Sequence, residues 1–202
     1  MIFENSTGSA AKGPARSPAA QGPEPAHEGA APANPFTAAD VTAILRERRW
    51  LADTPPSPEL EAWLADAAAL LGPHAADRDA LAKLLNHIFA YDAQAILHAP
   101  ESHIVLAREG AREVIRELAH AVLDGTEIDS DRFKEIVTAL KERLPFRGRQ
   151  LFHPIRLALA GRSGEGELDR VILLLDRAAR LPFRTPVKGT RQRMLEFCAA
   201  LE

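Results

Sequence analysis

Residues 144–175, LPFRGRQLFHPIRLALAGRSGEGELDRVILLL, decide the fold and contain the residues that we expect to carry the function. Their arginines surround an apolar stretch, residues 151–155, that includes a proline, which is typical of a first helical turn. We therefore expect Pro154 to start a short helix and Gly161 to end it. Cations on a short, rigid helix suit a phosphate backbone. The arginines are Arg147, Arg149, Arg156 and Arg162.

Helix signals continue on both sides of this stretch. Thr37, Ser57 and Asp129 or Ser130 are typical helix N-caps, and apolar residues recur at helical spacing after each of them. No alternating strand pattern appears in the sequence. The sequence therefore predicts an all-α fold, a helical bundle with one shared core. We expect helices to begin near residues 37, 57, 77–79, 104, 129–130, 154, 167 and 190, the fourth of them running to residue 123.

The first residues differ in composition from the rest. Residues 1–35 are rich in Ala, Pro, Gly and Ser, so they bury too little surface to offset the entropy of ordering, and we expect a disordered tail. An organelle transit peptide is disfavoured, because acidic residues such as Glu24 and Glu28 interrupt the stretch. Residues 36–202 are expected to form the helical domain. The helices before residue 81 either join the same bundle or form a small separate unit.

Positive charge is concentrated in two segments, although the whole chain carries a net charge of −3. Residues 141–162 contain six cations against one acid, and residues 184–193 contain four cations and no acid. Such local excess attracts a polyanion even in a slightly acidic protein. The alternative is a solvated face beside acidic neighbours.

A catalytic or metal site is not predicted. The histidines are scattered, no His or Cys pair has the spacing of a zinc site, and the acids at Asp129 and Asp131 suit a helix start. We expect no catalytic residue, no metal and no cofactor. His153 is the histidine of most interest because it lies inside the basic segment.

Cys198 and the hydropathy pattern bear on the compartment. A single cysteine excludes an internal disulfide, and its apolar setting predicts a buried structural thiol. No apolar run reaches the roughly 18 residues that a membrane span requires. We expect a cytoplasmic protein without a membrane partner.

The order of residues in the basic segment resembles the anticodon-binding region near the C-terminus of bacterial glutamyl-tRNA synthetases, whose pattern is roughly K-G-(K/R)-x-L-F-x-P-(L/I)-R-x-A-L-(T/A)-G, followed by a short loop and E-L. The matching residues, in register and without a gap, are Gly148, Arg149, Leu151, Phe152, Pro154, Ile155, Arg156, Ala158, Leu159, Gly161, Glu167 and Leu168. The chain departs from the pattern at Ala160, at Glu165-Gly166 and at Asp176. The resemblance extends over residues 81–181.

Elements of a catalytic domain are missing from the sequence. A class I synthetase needs a His-x-Gly-His-type element and a Lys-x-Ser-Lys-type loop, and neither pattern occurs here. The resemblance thus implies a tRNA-binding module without its own aminoacylation site, with tRNA as its partner and tRNA-Glu favoured. Two other hypotheses stay open: a protein-interaction or regulatory protein that has lost RNA binding, and the anticodon-binding part of a divided glutamate-tRNA ligase whose catalytic chain is separate.

The resemblance also implies roles for particular residues. It implies a charged contact from Arg156 and an apolar contact from Leu168 with the anticodon nucleotides. We expect Arg156 to project its guanidinium outward, where it binds phosphate or stacks on a base. The alternative is that Arg156 pairs with Glu167 or Asp169 and that Leu168 belongs to the core. Further candidates for phosphate contacts are Arg147, Arg149 and Arg162.

Overall fold

A computed structural model describes residues 34–202, which contain ten α-helices and no strand. The predicted all-α fold is therefore confirmed for this part of the chain, while most of the predicted tail, residues 1–33, lies outside the described residues. A single 3₁₀ turn, Gly72–His74, follows the second helix. The helices are α1 (Ala38–Glu47), α2 (Pro58–Leu71), α3 (Arg78–Phe89), α4 (Ala93–His98), α5 (Pro100–Leu106), α6 (Ala111–Leu123), α7 (Ser130–Arg143), α8 (Arg149–Ala160), α9 (Glu167–Ala178) and α10 (Thr190–Leu201).

Polar caps begin several of these helices where the sequence predicts them. Thr37 and Asp40 form a reciprocal capping box at α1, and the Ser57 hydroxyl accepts from the Leu60 amide at the start of α2. Asp129 caps α7 by accepting from two backbone amides. These side chains satisfy amides that have no partner within the helix. The cap of α3 is Asp77.

The prediction that Pro154 starts a helix is wrong. Helix α8 begins five residues earlier, after Gly148, whose φ of 52° is in the region that favours glycine. The amides of Leu151 and Phe152 both donate to the Gly148 carbonyl, so the first turn is closed before the proline is reached. Pro154 lies inside the helix and is buried, so packing of this apolar face outweighs the loss of one backbone donor.

The predicted long helix over residues 104–123 is two helices. Gly110 has a φ of 78° and separates α5 from α6. The phenyl ring of Phe146 lies against Gly110, 2.0 Å from the place where a Cβ would stand. The break therefore makes room for an aromatic side chain from the segment that precedes α8. Helix α4 was not predicted.

Helices before residue 81 share the core with those after it. The indole Nε1 of the fully buried Trp63 on α2 donates to the Leu174 carbonyl on α9 over 3.1 Å. An aromatic cluster joins the end of α3 to the linker between α9 and α10, because Phe89 packs edge-on against Phe183. Trp50 stacks on Phe89 in parallel. One core therefore spans the described residues.

The C-terminal basic segment is mostly structural. Arg193 is fully buried, and its guanidinium donates to the backbone carbonyls of His87 and Ile88 at the end of α3 and of Leu159 near the end of α8. Lys188 forms an ion pair with Glu196, and Arg191 donates to a carbonyl at the end of α6. These three cations are thus occupied by the fold itself.

Cys198 is only partly buried, less than the sequence predicts, and its burial raises the pKa of the thiol. Within residues 34–202, none of the helices combines the length and the apolar character needed to cross a bilayer.

Candidate nucleic-acid interface

Arg156 points into the protein, so the prediction that its guanidinium projects outward is wrong. The residue is 7% exposed. Its Nε and Nη2 donate to the two carboxylate oxygens of Asp169 on α9 over 2.7 and 2.9 Å, and Nη1 donates to the Gly164 carbonyl over 2.8 Å. Every nitrogen of the guanidinium is engaged, and the planar fork fits the carboxylate in a bidentate manner. The structure therefore shows the alternative expectation, in which Arg156 pairs with Asp169.

This pair fixes the loop that joins α8 to α9. Arg156 on α8 binds both the Gly164 carbonyl in the middle of the loop and the Asp169 carboxylate in the first turn of α9. It therefore connects the loop to both of the helices that the loop joins. The Phe152 ring lies 5.1 Å from the Arg156 guanidinium carbon and adds a cation–π contact. Arg156 is therefore a positioning residue in this conformation.

Leu168 belongs to the core and also borders the surface cleft described below. It is 3% exposed. A Cβ on Gly164 would lie 2.9 Å from the Leu168 Cδ1 atom, so the side chain packs directly under the loop. The glycine allows this close approach between loop and helix.

Arg147 terminates the helix before the motif. Its guanidinium donates to the carbonyls of Lys141, Leu144 and Phe146 over 2.6 to 2.7 Å. Carbonyls at a helix C-terminus lack partners within the helix, and a cation suits the negative end of the helix dipole. The residue is exposed and the guanidinium is held against the backbone.

Arg149 and Arg162 are the two motif arginines whose side chains are available to a ligand. Arg149 is exposed and makes a long ion pair with Glu165, also exposed, over 3.3 Å. Such a surface pair contributes little and exchanges readily. Arg162 is exposed at the end of α8 and has no acidic partner within residues 34–202. The structure thus separates the two exposed arginines from Arg147 and Arg156, which bind the chain itself.

A cleft of about 680 Å³ lies beside the α8–α9 loop. Its walls come from α3, from the start of α5, from the loop itself and from the adjoining parts of α8 and α9, together with His74 of the 3₁₀ turn. The lining contains two cations, Lys83 and Arg162, and two carboxylates, Glu101 and Glu167, so it is balanced in charge. The volume lies in the range of sites that hold a small organic group. The remaining lining residues are His74, Ala80, Leu84, His87, Ala99, Ser102, Leu157, Gly161, Ser163, Gly164 and Leu168.

His87 lies in the α3 wall of this cleft. Burial lowers the pKa of its imidazole, and the nearby Arg162 lowers it further, while a hydrogen bond to the Ala160 backbone opposes the shift. The ring is therefore neutral near pH 7, with a donor and an acceptor nitrogen. A neutral imidazole suits the edge of a base better than a phosphate.

His153 faces the other side of α8, toward the turn after α5. Arg108 donates to its Nδ1 over 3.0 Å, so the ring carries its proton on Nε2. Burial and the Arg108 charge lower the pKa of this imidazole. His153 is 9% exposed and does not line the cleft, and its buried Nε2 has no hydrogen-bond partner within residues 34–202.

A family model described as the anticodon binding domain matches residues 34–181, which is most of the chain and most of the described helices. The chain belongs to this family. The match begins before α1 and ends after α9, so it includes the cleft and the motif around α8. The predicted resemblance to an anticodon-binding domain is thereby confirmed, and the family assignment extends it upstream of residue 81.

Curated relatives of this anticodon-binding domain are glutamate–tRNA ligases. The chain is 33% identical to a ligase from Syntrophus aciditrophicus over 84 residues, covering 42% of this chain and 15% of the relative. It is 41% identical to one from Halorhodospira halophila over 59 residues, covering 29% of the chain and 12% of that protein. A ligase from Carboxydothermus hydrogenoformans is 26% identical over 95 residues, with coverage of 47% and 20%.

The chain thus spans about a seventh of the length of the first of these relatives. The matches cover the anticodon region, and no catalytic domain is matched. No solved structure gives a significant match.

Sequence reasoning missed the α3 and α5 walls of the cleft. Lys83, His87 and Glu101 are far from the motif in the chain and meet it only in the folded protein. The one available signal was the helical repeat of α3, which places residues 80, 83, 84 and 87 on one face, with Lys83 exposed and His87 half-buried.

Proposed function

We propose that the chain is a tRNA-binding module, with tRNA-Glu as its preferred partner, which acts without an aminoacylation site of its own. Membership of the anticodon-binding family carries this proposal, and the relatives named glutamate–tRNA ligase support the choice of tRNA-Glu. The place of action is the cytoplasm.

In this proposal the cleft takes an unpaired nucleotide of the tRNA. A lining with two cations and two carboxylates attracts a phosphate group only weakly, because the charges cancel. A base, by contrast, offers both hydrogen-bond donors and acceptors at its edge. Bases of single-stranded loops are commonly splayed into such pockets and read by hydrogen bonds. Glu167 accepts from an exocyclic amine in this arrangement, and Arg162 and Lys83 at the rim bind the adjoining phosphates.

The five motif residues then divide their roles. Arg162 and Arg149 contact phosphate, Leu168 supplies an apolar contact through the part that borders the cleft, and Arg156 and Arg147 act indirectly. Arg156 holds the Gly164 carbonyl and the Asp169 carboxylate, so its loss displaces the loop that contributes Arg162. Arg147 fixes the end of α7 and the entry into α8.

Fluorescence anisotropy with the anticodon stem-loop of tRNA-Glu tests the proposal. We expect Arg162→Ala to weaken binding about tenfold and to lower the salt slope by about one, because one phosphate contact and its released counterion are lost. Arg112→Ala is the matched control, since Arg112 is an exposed arginine on α6 that does not line the cleft. Equal affinity of the wild type for the stem-loop and for any RNA of the same length contradicts the preference for tRNA-Glu, and absence of binding argues for the protein-interaction alternative.

A second proposal is that the chain supplies anticodon recognition to a separate catalytic chain, as in a divided glutamate-tRNA ligase. The printed names of the three relatives, each a glutamate–tRNA ligase matched over its anticodon region, support it. Addition of this chain to a ligase lacking an anticodon-binding region should restore charging of tRNA-Glu, and an unchanged rate contradicts it.

A further inference from the structure

A second cluster of exposed arginines lies at the end of α1, outside the cleft. Helix α1 ends in a Schellman motif, in which the Trp50 amide donates to the Leu45 carbonyl and the Arg49 amide to the Arg46 carbonyl. The residue in the left-handed position of this motif is Arg49, with φ of 60°. It is the one non-glycine residue with positive φ among residues 34–202.

An arginine in this position is locally unfavourable. Glycine makes the same backbone hydrogen bonds without the steric cost that a Cβ meets in the left-handed region. Backbone outliers of this kind tend to occur where a side chain serves a function. What Arg49 adds over glycine is an exposed cationic side chain, adjacent in sequence to the exposed Arg48.

A third arginine reaches the same corner from the other end of the chain. The Arg184 amide donates to the Trp50 carbonyl over 2.7 Å, which places Arg184 beside the end of α1. Trp50 stacks on Phe89 with ring centroids 4.6 Å apart, so the corner has a rigid base. We call Arg48, Arg49 and Arg184 the arginine corner.

No acid forms an ion pair with the arginine corner within the described part of the chain, although the Arg48 charge contributes to the lowered pKa of Glu47. The nearest acids along the sequence are Glu47 and Asp53. Glu47 is engaged by Arg78 in a bidentate pair, with distances of 2.7 and 2.8 Å. Asp53 forms no ion pair within residues 34–202. All three guanidinium groups of the corner are exposed and form no ion pair within that range.

Helix α3 separates the corner from the cleft. Residues 80, 83, 84 and 87 of α3 line the cleft, whereas Arg78 and Phe89 contact the end of α1. At 3.6 residues per turn, residues 78 and 89 lie about 160–180° around the helix from residue 80. The arginine corner is therefore a surface of its own.

We propose that the arginine corner binds the phosphodiester backbone of double-helical RNA. Guanidinium groups bind phosphate in a bidentate manner, and several of them on neighbouring backbone positions contact successive phosphates without reading sequence. The inference rests on the proposed function for the choice of RNA as the polyanion: with a loop nucleotide in the cleft, the base-paired stem that carries this loop is the nearest double helix.

Anisotropy with the full-length chain and a short blunt-ended RNA duplex tests this surface. We expect the double variant Arg48→Gln, Arg184→Gln to bind the duplex about tenfold more weakly and to lower the salt slope by about two. The matched control is Arg112→Gln, Arg116→Gln, which removes the same charge from exposed positions on α6, and it should change affinity less than twofold. Equal losses in both double variants overturn the proposal, as does a wild type that binds no duplex or prefers poly-glutamate.

The variant Arg49→Gly distinguishes the effect of the Arg49 charge on RNA binding from the effect of its backbone strain on stability. We expect it to raise the melting temperature, because the left-handed position is relieved, and to weaken duplex binding severalfold, because a guanidinium is lost. Unchanged duplex affinity in this variant contradicts the role of Arg49. Binding of the anticodon stem-loop tests the proposed function separately. If the protein prefers the stem-loop and the corner variants do not change its affinity for RNA, the proposed function is supported and the proposal for the arginine corner is overturned.

Discussion

Arg193 shows how one buried cation connects three segments of the molecule. Its guanidinium donates to carbonyls of α3, of α8 and of Lys188 before α10, and it lies over the Tyr91 ring at 4.6 Å. Burial lowers the pKa of Arg193 to about 10, so the group is still charged at neutral pH. Hydrogen bonds to backbone oxygens offset the cost of holding this charge away from water.

Replacement of Arg193 by methionine should lower the free energy of unfolding by about 2 to 4 kcal/mol. Methionine replaces the apolar stem of arginine but not its guanidinium, so the loss comes from buried carbonyls left without donors and from the space that the guanidinium filled. Urea denaturation followed by circular dichroism measures it, with the exposed Arg112→Met as control. A change below about 0.5 kcal/mol for Arg193→Met would mean that water replaces the guanidinium at these carbonyls.

Arg156 marks the limit of sequence reasoning at the scale of a residue. The motif identified the arginine, and the acids of the following helix included its partner, Asp169. The direction of the side chain depends on the approach of α9 to α8 and on a loop carbonyl, which are properties of tertiary packing. The pattern alone could not distinguish an outward guanidinium from a loop-holding one.

At the scale of an element, helix ends were predictable where a side chain caps them. Thr37, Ser57 and Asp129 each bond an amide in the first turn, which is a local interaction. The start of α8 was missed because a glycine precedes it and because a proline in a buried helix resembles a proline at its first turn. The short helix α4 was missed and the short helix α5 was merged with α6, because neither is long enough to show a clear apolar period.

We expect alanine substitutions at two glycines, Gly110 between α5 and α6 and Gly166 before α9, to differ in their effect on the free energy of unfolding. Gly110→Ala should lower the free energy of unfolding by about 2 to 4 kcal/mol, because a Cβ meets both the left-handed backbone and the Phe146 ring. Gly166→Ala should change it by less than about 1 kcal/mol, because its φ is −64° and nothing lies within 4 Å of a Cβ there. Thermal denaturation of the two variants measures the contrast. Similar melting temperatures would show that Phe146 moves aside.

At the scale of the whole molecule, the structural unit extends past the family match. Helix α10 begins nine residues after the match ends at residue 181, and it carries Arg193. Asp176 on α9 accepts from the Thr190 amide and hydroxyl and from the Ile128 amide, so it joins α10 and the α6–α7 loop to the bundle. This residue departs from the resemblance pattern and has a structural role here.

The whole molecule should lose stability in mild acid. Burial lowers the pKa of both His87 and His153 below the ordinary value of 6.5. The unfolded chain therefore takes up protons at a higher pH than the folded one, and the stabilisation present above about pH 6.5 is lost as the pH falls through the folded pKa values. We expect His87→Gln, His153→Gln to reduce this loss in urea titrations between about pH 7.5 and about pH 5. An identical pH slope in the double variant would assign the loss to other groups.

The central claim, that the cleft beside the α8–α9 loop receives an anticodon nucleotide, is tested most directly by photocrosslinking. The full-length chain is irradiated with a tRNA-Glu anticodon stem-loop that carries 4-thiouridine in its loop, and the crosslinked peptides are mapped by mass spectrometry. We predict crosslinks in residues 157–168 and 74–87, the two longest stretches of the cleft wall. Crosslinks confined to α6 and α7, or none at all, would contradict the account.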